Sequence, residues 1–365
     1  MAEYKGALIG LGWMGMLYDL APRIMDRFHV DDVDRPTPPL DVHRKWFHHE
    51  HAGEEGLPAG FVEALIDRPE IDLVAVAERD PKRIEVYKER HGIGNTYTDA
   101  EEMLRKEKPD IVSIATNCKG RADLICLAVE CGAKGIFTEK PMTHTLEEAD
   151  RVVKTCADAG VPLAVGAITT SHPSFGKAKQ LVNDGVIGEL VSIESEAPHS
   201  QQQEWSYFVD ATPSWVIAAN DPPMRESGTD EFAGQGLMAT EEGLMVHFRR
   251  RAPAVRLTGK EGELVFTVAD GWKLWKDVET PDGTQRVLLP DPKPKFVYPW
   301  TGVYLLADVM DCIEGKLDDP KISGRRVHLA LEVELAMKLS SAQGGVRVDL
   351  PLKDRTVGLN YDWFR

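Results

Sequence analysis

The stretch that decides the reading of this chain is Lys5-Gly6-Ala7-Leu8-Ile9-Gly10-Leu11-Gly12-Trp13-Met14-Gly15. A short run with strand character ends in Gly-x-Gly-x-x-Gly, followed by residues that suit a helix. In that setting the first glycine permits a tight turn and the second lets backbone approach phosphate oxygens. The third allows close packing of helix on strand, while the helix N-terminus offers free N–H groups and partial positive charge. Bare glycine turns are common, so the weight lies in the strand before this one and the β-α-β series after it. Both point to a dinucleotide pyrophosphate.

Working outward, a second strand-like run, Gly135-Ile136-Phe137-Thr138, ends in Glu139-Lys140-Pro141. Between and beyond these motifs strand and helix alternate. Strands are expected at 71–77, 110–115, 135–138 and 162–166. Helices are expected at 81–91, 100–106, 121–131 and 145–159, the last opened by a Thr145/Glu148 capping box. Short apolar strands joined by helices predict a parallel sheet covered on both faces.

After about residue 167 the texture changes. A helix at 173–184 precedes short strands at 190–196, 244–248, 254–258 and 263–267. Two long amphipathic helices follow at 302–314 and 325–341, then a strand at 346–350. Strands in succession and then helices predict an open, mainly antiparallel sheet with helices on one face. The expected division is 1–167 for dinucleotide binding and 168–365 for substrate binding and self-association. One stretch, 31–58, rich in Pro, Asp and His, interrupts the first unit. If 13–28 is the whole first helix, this insertion leaves at the sheet end away from the cofactor. If 61–67 supplies the helix, it leaves near the active-site mouth.

Composition excludes several classes. The 365 residues carry 43 basic and 59 acidic side chains, a net charge of −16, which opposes binding to nucleic acid backbones. No apolar run approaches a membrane span, and the N-terminus reads directly into the first strand without a secretory leader. A cytoplasmic protein with no membrane partner is expected. Cys118, Cys126, Cys131, Cys156 and Cys312 form no Cys-x-x-Cys pair and read as reduced, mostly buried thiols. His43, His48, His49 and His51 read as a polar loop, and no metal is expected.

The candidate cofactor residues follow from strand ends. Gly10, Gly12, Trp13, Met14 and Gly15 form the phosphate turn. Glu78 ends a strand where a carboxylate can accept from ribose hydroxyls, displaced by the insertion from the usual spacing of ~20 residues. It favours NAD, while Arg79 beside it keeps NADP open. Thr116 and Asn117 are placed to meet the nicotinamide ribose or to cap their own loop. Lys140, stiffened by Pro141, can bind a substrate hydroxyl and stabilise a developing alkoxide. Glu139 can hold that lysine or a ribose.

These motifs make the chain similar to the Gfo/Idh/MocA family, the glucose-fructose oxidoreductase and inositol dehydrogenase group. The matching pieces are residues 10–15, Asp110-Ile-Val-Ser-Ile-Ala-Thr-Asn117, Glu139-Lys-Pro141, Gly185-Val-Ile-Gly188 and the closing run 324–341. The resemblance implies an N-terminal Rossmann domain and a C-terminal α/β domain with an open sheet that often mediates oligomerisation, so a homo-oligomer (dimer or tetramer) is expected. It implies NAD(P) and hydride transfer at a hydroxyl of a sugar, cyclitol or related polyol.

The departures are equally specific. The family's Asp-x-x-x-His pair in the second domain is missing from the compressed stretch 198–210, Thr170-Ser171-His172 replaces an Asn-Arg pair, and Arg121 stands where histidine is common. His199 and Tyr207 are the substitutes for the acid-base, with Asp210 and His172 behind them. Trp205, Tyr207 and Trp215 read either as a stacking face for a sugar ring or as core. Two other functions stay open: an enzyme that keeps NAD bound and uses transient oxidation for elimination or hydrolysis, and an inactive nucleotide-binding sensor.

Overall fold

The structure is a computed structural model that describes residues 2–16, 28–29, 32–36, 60–166, 170–196, 204–220, 232, 234–250, 252–267, 270–290 and 301–359. The chain divides into two compact units. The first comprises Met1–Thr143, Glu148–Ser171 and Tyr298–Gly324; the second comprises His144–Glu147, His172–Val297 and Arg325–Arg365.

The first unit is built on six parallel strands: β1 (Tyr4–Ile9), β4 (Ile71–Ala77), β5 (Asn95–Tyr97), β6 (Ile111–Ile114), β7 (Gly135–Thr138) and β8 (Leu163–Val165). Their order is β5-β4-β1-β6-β7-β8. The chain runs outward from β1 on one side and then restarts beside β1 with β6. The strand order therefore reverses between β1 and β6, and a crevice opens there at the carboxyl ends. These strands read as apolar runs because both faces are covered. The connecting helices are α1 (Phe61–Ile66), α2 (Pro81–Arg90), α3 (Ala100–Glu107), α4 (Arg121–Glu130) and α5 (Leu146–Ala159).

Backbone hydrogen bonds decide between the two layouts of the insertion. Phe61 N–H donates to the Met14 carbonyl (3.0 Å) and Val62 N–H to the Gly15 carbonyl (2.9 Å). The turn 12–16 and α1 thus join as one helical start. The excursion lies between residues 16 and 60, earlier than the expected 31–58, and departs from the cofactor end of the sheet. From it the structure describes the backbone of a hairpin, β2 (Phe28–His29) and β3 (Asp32–Pro36). The four insertion histidines lie outside the described residues.

The expected boundary at residue 167 also differs from the structure at α7 (Thr301–Ile313), which belongs to the first unit. Its Leu305, Leu306, Val309 and Met310 are buried with Leu8, Phe61, Leu65 and Phe137 in the core of the first unit. Gly135 admits it closely, since a Cβ there would stand 2.4 Å from Val309 Cγ1. The segment that follows stays in this unit: Val165 N–H donates to the Ile322 carbonyl at 2.9 Å, and Asp308, 2% exposed, pairs with Lys321. Six-residue α1 covers too little of the sheet, and α7 supplies the missing apolar surface. Each Leu or Phe so buried contributes about 1.5–3 kcal/mol.

The second unit contains a nine-stranded mixed sheet, ordered β16-β15-β14-β13-β9-β12-β11-β10-β17. Its strands are β9 (Leu190–Glu196), β10 (Pro213–Ala219), β11 (Gln235–Thr240), β12 (Met245–Arg249), β13 (Val255–Gly259), β14 (Gly262–Thr267), β15 (Gly271–Thr280), β16 (Gly283–Leu288) and β17 (Val348–Asp349). All neighbours pair antiparallel except β12 with β9. Strand register puts Ala218, Gly236, Phe248, Ser195, Val255, Phe266 and Trp272 in one inward row. Onto this face pack α6 (Pro173–Asn183), through Phe175 against Phe266 and Trp272, and α8 (Gly324–Ala342), through Met337 beside Gly236. Helix α8 is not amphipathic as expected. Residues 330–338 are all buried, including Glu332, Glu334 and Lys338. Glu332 is satisfied by the Leu352 N–H (2.8 Å) and by Arg355, so the C-terminal tail covers the face that would otherwise meet water.

The same tail reaches the start of α5. Leu146 N–H donates to the Val357 carbonyl (3.0 Å) and Glu147 N–H to the Arg355 carbonyl (2.8 Å). Two first-turn amides are thus met by distant carbonyls. Among the described residues no helix is long and apolar enough to cross a membrane. Three of the five cysteines are only half-buried, and Cys118 and Cys156 are buried.

Candidate active site

The expected residues of the first unit gather at the carboxyl ends of β1, β4, β6 and β7. At Gly10, φ is +97° and a Cβ would lie 2.8 Å from the Ala115 carbonyl oxygen; at Gly15 a Cβ would lie 2.0 Å from the Gly10 oxygen. Only hydrogen side chains allow this turn to close against the β6 loop. Backbone packed this closely leaves no room for side chains at those two positions, as the pyrophosphate turn expected from the sequence requires. Met16 N–H bonds to the Gly12 carbonyl at 3.0 Å, so helical geometry begins inside the motif.

Glu78 leaves the end of β4 and its Oε2 accepts from the Leu11 N–H at 2.8 Å; its Oε1 accepts from Asp80 N–H at 3.0 Å. The carboxylate is thereby held against the glycine turn. Arg83 stands 3.9 Å away, whereas Arg79 is exposed. After β6, Asn117 Oδ1 accepts from Lys119 N–H (3.2 Å) and the Thr116 hydroxyl donates to the Asn117 carbonyl (3.1 Å). Those side chains therefore do shape their own loop.

At the end of β7, Glu139 is buried and Lys140 half-buried, with a cis peptide between Lys140 and Pro141. Lys140 N–H donates to Glu139 Oε2 at 3.1 Å. The carboxylate packs over Gly166, where a Cβ would approach Oε1 to 2.8 Å. Burial pushes the Glu139 carboxyl above its usual range; the Lys140 and Arg121 charges and the Lys140 N–H pull it back. Glu139 is thus packed beneath the Lys140 backbone.

Arg121, which stands where the family commonly has histidine and to which the sequence assigns no role, is buried at the centre of this edge. It opens α4, is 2% exposed, and donates to the carbonyl oxygens of Thr116, Glu139 and Pro141. Burial draws its guanidinium down to about 10, against the opposing pull of Cys118 and Glu139. The available signal was its position: a cation in the first turn of a mostly apolar helix, Arg121-Ala-Asp-Leu-Ile-Cys-Leu-Ala, where the helix dipole does not favour positive charge.

In the second unit the acid-base candidates separate. His199 lies outside the described residues. His172 caps α6: its Nδ1 accepts from Ser174 N–H at 3.0 Å, and Ser174 Oγ accepts from Trp272 Nε1 at 3.1 Å. Asp210 is exposed and paired with Lys179. Tyr207, in the short 3-10 helix Glu204–Tyr207, has Arg326 Cζ 5.2 Å and Lys179 Nζ 5.9 Å from its ring centre. Trp205 cannot stack on a ligand, because it is 0% exposed and meets Phe248 edge-on. Trp215 stands under Arg347, whose Cζ is 5.0 Å from its ring. Among the described residues, no group of three or more His, Cys, Asp or Glu is placed to hold a metal.

Comparison with known proteins agrees with this geometry. Residues 53–167 match the oxidoreductase family with the NAD-binding Rossmann fold, Gfo/Idh/MocA. A D-apiose dehydrogenase of Paraburkholderia graminis is 34% identical over 117 residues, 32% of this chain and 31% of that protein. A 2,7-anhydro-N-acetylneuraminate hydratase of Mediterraneibacter gnavus is 29% identical over 107 residues, 29% of this chain and 28% of that protein. The chain thus spans about a third of the length of these relatives. The crystal structure of an NAD-binding oxidoreductase from Klebsiella pneumoniae superposes with a TM-score of 0.67 at 17% identity, covering 97% of this chain and all of that one. The six-stranded parallel sheet with its glycine turn and the match over residues 53–167 make this chain similar to the Gfo/Idh/MocA oxidoreductases, with a Rossmann-like sheet in its first unit.

Proposed function

We propose that the protein is an NAD(P)-dependent oxidoreductase acting on a CH–OH group of a sugar, cyclitol or related polyol. The observation that carries this is the placement of Lys140 at the carboxyl end of β7, on the same sheet edge as the glycine turn after β1. A bound nicotinamide supplies the hydride acceptor or donor. Lys140 binds the reacting oxygen and opposes the negative charge left on it when the hydroxyl proton departs, or formed on it when hydride adds to a carbonyl in the reverse direction. The hydroxyl proton passes to a base, for which Tyr207→Phe and His199→Asn are the paired tests. Glu78 disfavours a 2′-phosphate, so NAD is preferred over NADP. The first unit is assigned cofactor binding; the second is assigned substrate recognition and self-association.

The test is a panel of aldoses, inositols and glycosides with NAD and NADP, followed at 340 nm, with Lys140→Ala alongside. The expected result is turnover that falls by at least about 100-fold in the variant while NADH still binds. Wild-type turnover in Lys140→Ala would remove it from the mechanism.

The relative named as a hydratase favours a second reading, in which bound NAD is oxidant and reductant in turn and no net NADH appears. Substrate loss without absorbance change, abolished by stripping cofactor, would select it.

A further inference from the structure

We propose that Arg121 is the positioning residue of the site, fixing the direction in which Lys140 presents its ammonium group. This rests on the reading of Lys140 given above.

Lys140 lies between two peptide units whose carbonyls, those of Glu139 and Pro141, both accept from Arg121 Nη1. Nη2 of the same guanidinium donates to the Thr116 carbonyl. A single planar group therefore ties the β7 turn to the β6 loop across the cofactor edge of the sheet. The turn needs such a tie. Its residues have left the ladder, since Glu139 N–H reaches the Ile114 carbonyl at only 3.4 Å. Carbonyl oxygens buried without donors would cost about 1–3 kcal/mol each.

Charge selects arginine for this place. A neutral side chain offers at most two donors, and an ammonium is a compact point charge. The guanidinium presents a rigid fork that spans several acceptors at once. The cost of burying it is offset by the three carbonyl dipoles and by Glu139 behind the turn. The arrangement is more than scaffold because its acceptors flank one functional side chain on both sides. Displacing an orienting group by about 1 Å can cost about 100-fold in rate.

The experiment compares wild type with Arg121→Gln and Arg121→His, the latter offering a smaller buried donor should the former not fold. Three readouts are taken on the full chain: NADH affinity, steady-state kinetics, and hydrogen exchange resolved to peptides. Positioning predicts kcat lowered by about 100-fold with KM and NADH affinity within about threefold. It also predicts exchange raised at least about tenfold in peptides covering 116–118 and 139–143 but unchanged in β1 and β4. Exchange rising throughout the first unit, or unchanged at 139–143, would overturn the proposal. If wild type turns over nothing in the panel, the proposed function fails, and the exchange pattern alone then decides the role of Arg121.

Discussion

The N–H of Phe61 donates to the carbonyl of Met14 at 3.0 Å, so the chain that leaves after residue 16 returns to the turn it left. Gly60 lies over this junction, its Cβ position 3.5 Å from the Gly15 oxygen. Replacing residues 17–59 by a short glycine linker is therefore expected to leave a cooperatively folding protein. The expected loss is about 1–3 kcal/mol, that of a typical single substitution. Thermal melting checks this, and a non-cooperative melt would count against it.

Gly166 and Glu139 occupy one space. Gly166→Ala brings a methyl group to 2.8 Å from Glu139 Oε1 and 3.1 Å from Cδ. Because the carboxylate is buried, it cannot swing freely into water. A loss of about 1–3 kcal/mol is expected in urea denaturation. In the Glu139→Ala background the same substitution should cost almost nothing, and a double-mutant cycle without coupling would refute the contact.

Burial raises the proton affinity of Glu139 in the folded state, desolvation being the largest cause. For a carboxyl shifted upward, the stabilising effect of protonation is complete below the unfolded value. It is lost as pH rises through the folded value. Glu139→Gln keeps an acceptor for the Lys140 N–H without the charge. Its Tm relative to wild type should therefore be higher near pH 8 than near pH 4. A difference independent of pH would show that the carboxyl titrates as it does in the unfolded chain.

His172 serves α6 as a cap, its Nδ1 accepting the Ser174 N–H. His172→Ala should cost about 1 kcal/mol, and His172→Asn, with an oxygen at similar reach, should recover most of it. Equal stability of the two variants in chemical denaturation would contradict capping.

Much of this protein is written locally. The ranges Ile71–Ala77, Gly135–Thr138 and Leu190–Glu196 form strands as periodicity and β-branched content require. The glycine turn and Glu139-Lys140-Pro141 are legible because their chemistry depends on adjacent residues. Strands β5, β10, β11, β15 and β16 lie outside the ranges that sequence patterning marks as strands. For the last pair a signal existed in Pro281-Asp282-Gly283, with Gly283 at φ +105°. The fully exposed, polar β16 shows no apolar alternation, and hydrogen bonding to β15 makes it a strand.

Sequence alone determined that a Gly-x-Gly-x-x-Gly turn after a strand precedes a lysine-bearing one, since each is set by torsion preferences and side-chain chemistry within a few residues. Only tertiary structure decided that α7 belongs to the first unit, that the helix after the glycine turn resumes at Phe61, and that Arg121 grips three carbonyls. Each of these depends on surfaces and acceptors far apart along the chain, whose partners exist only once the sheet has brought them together.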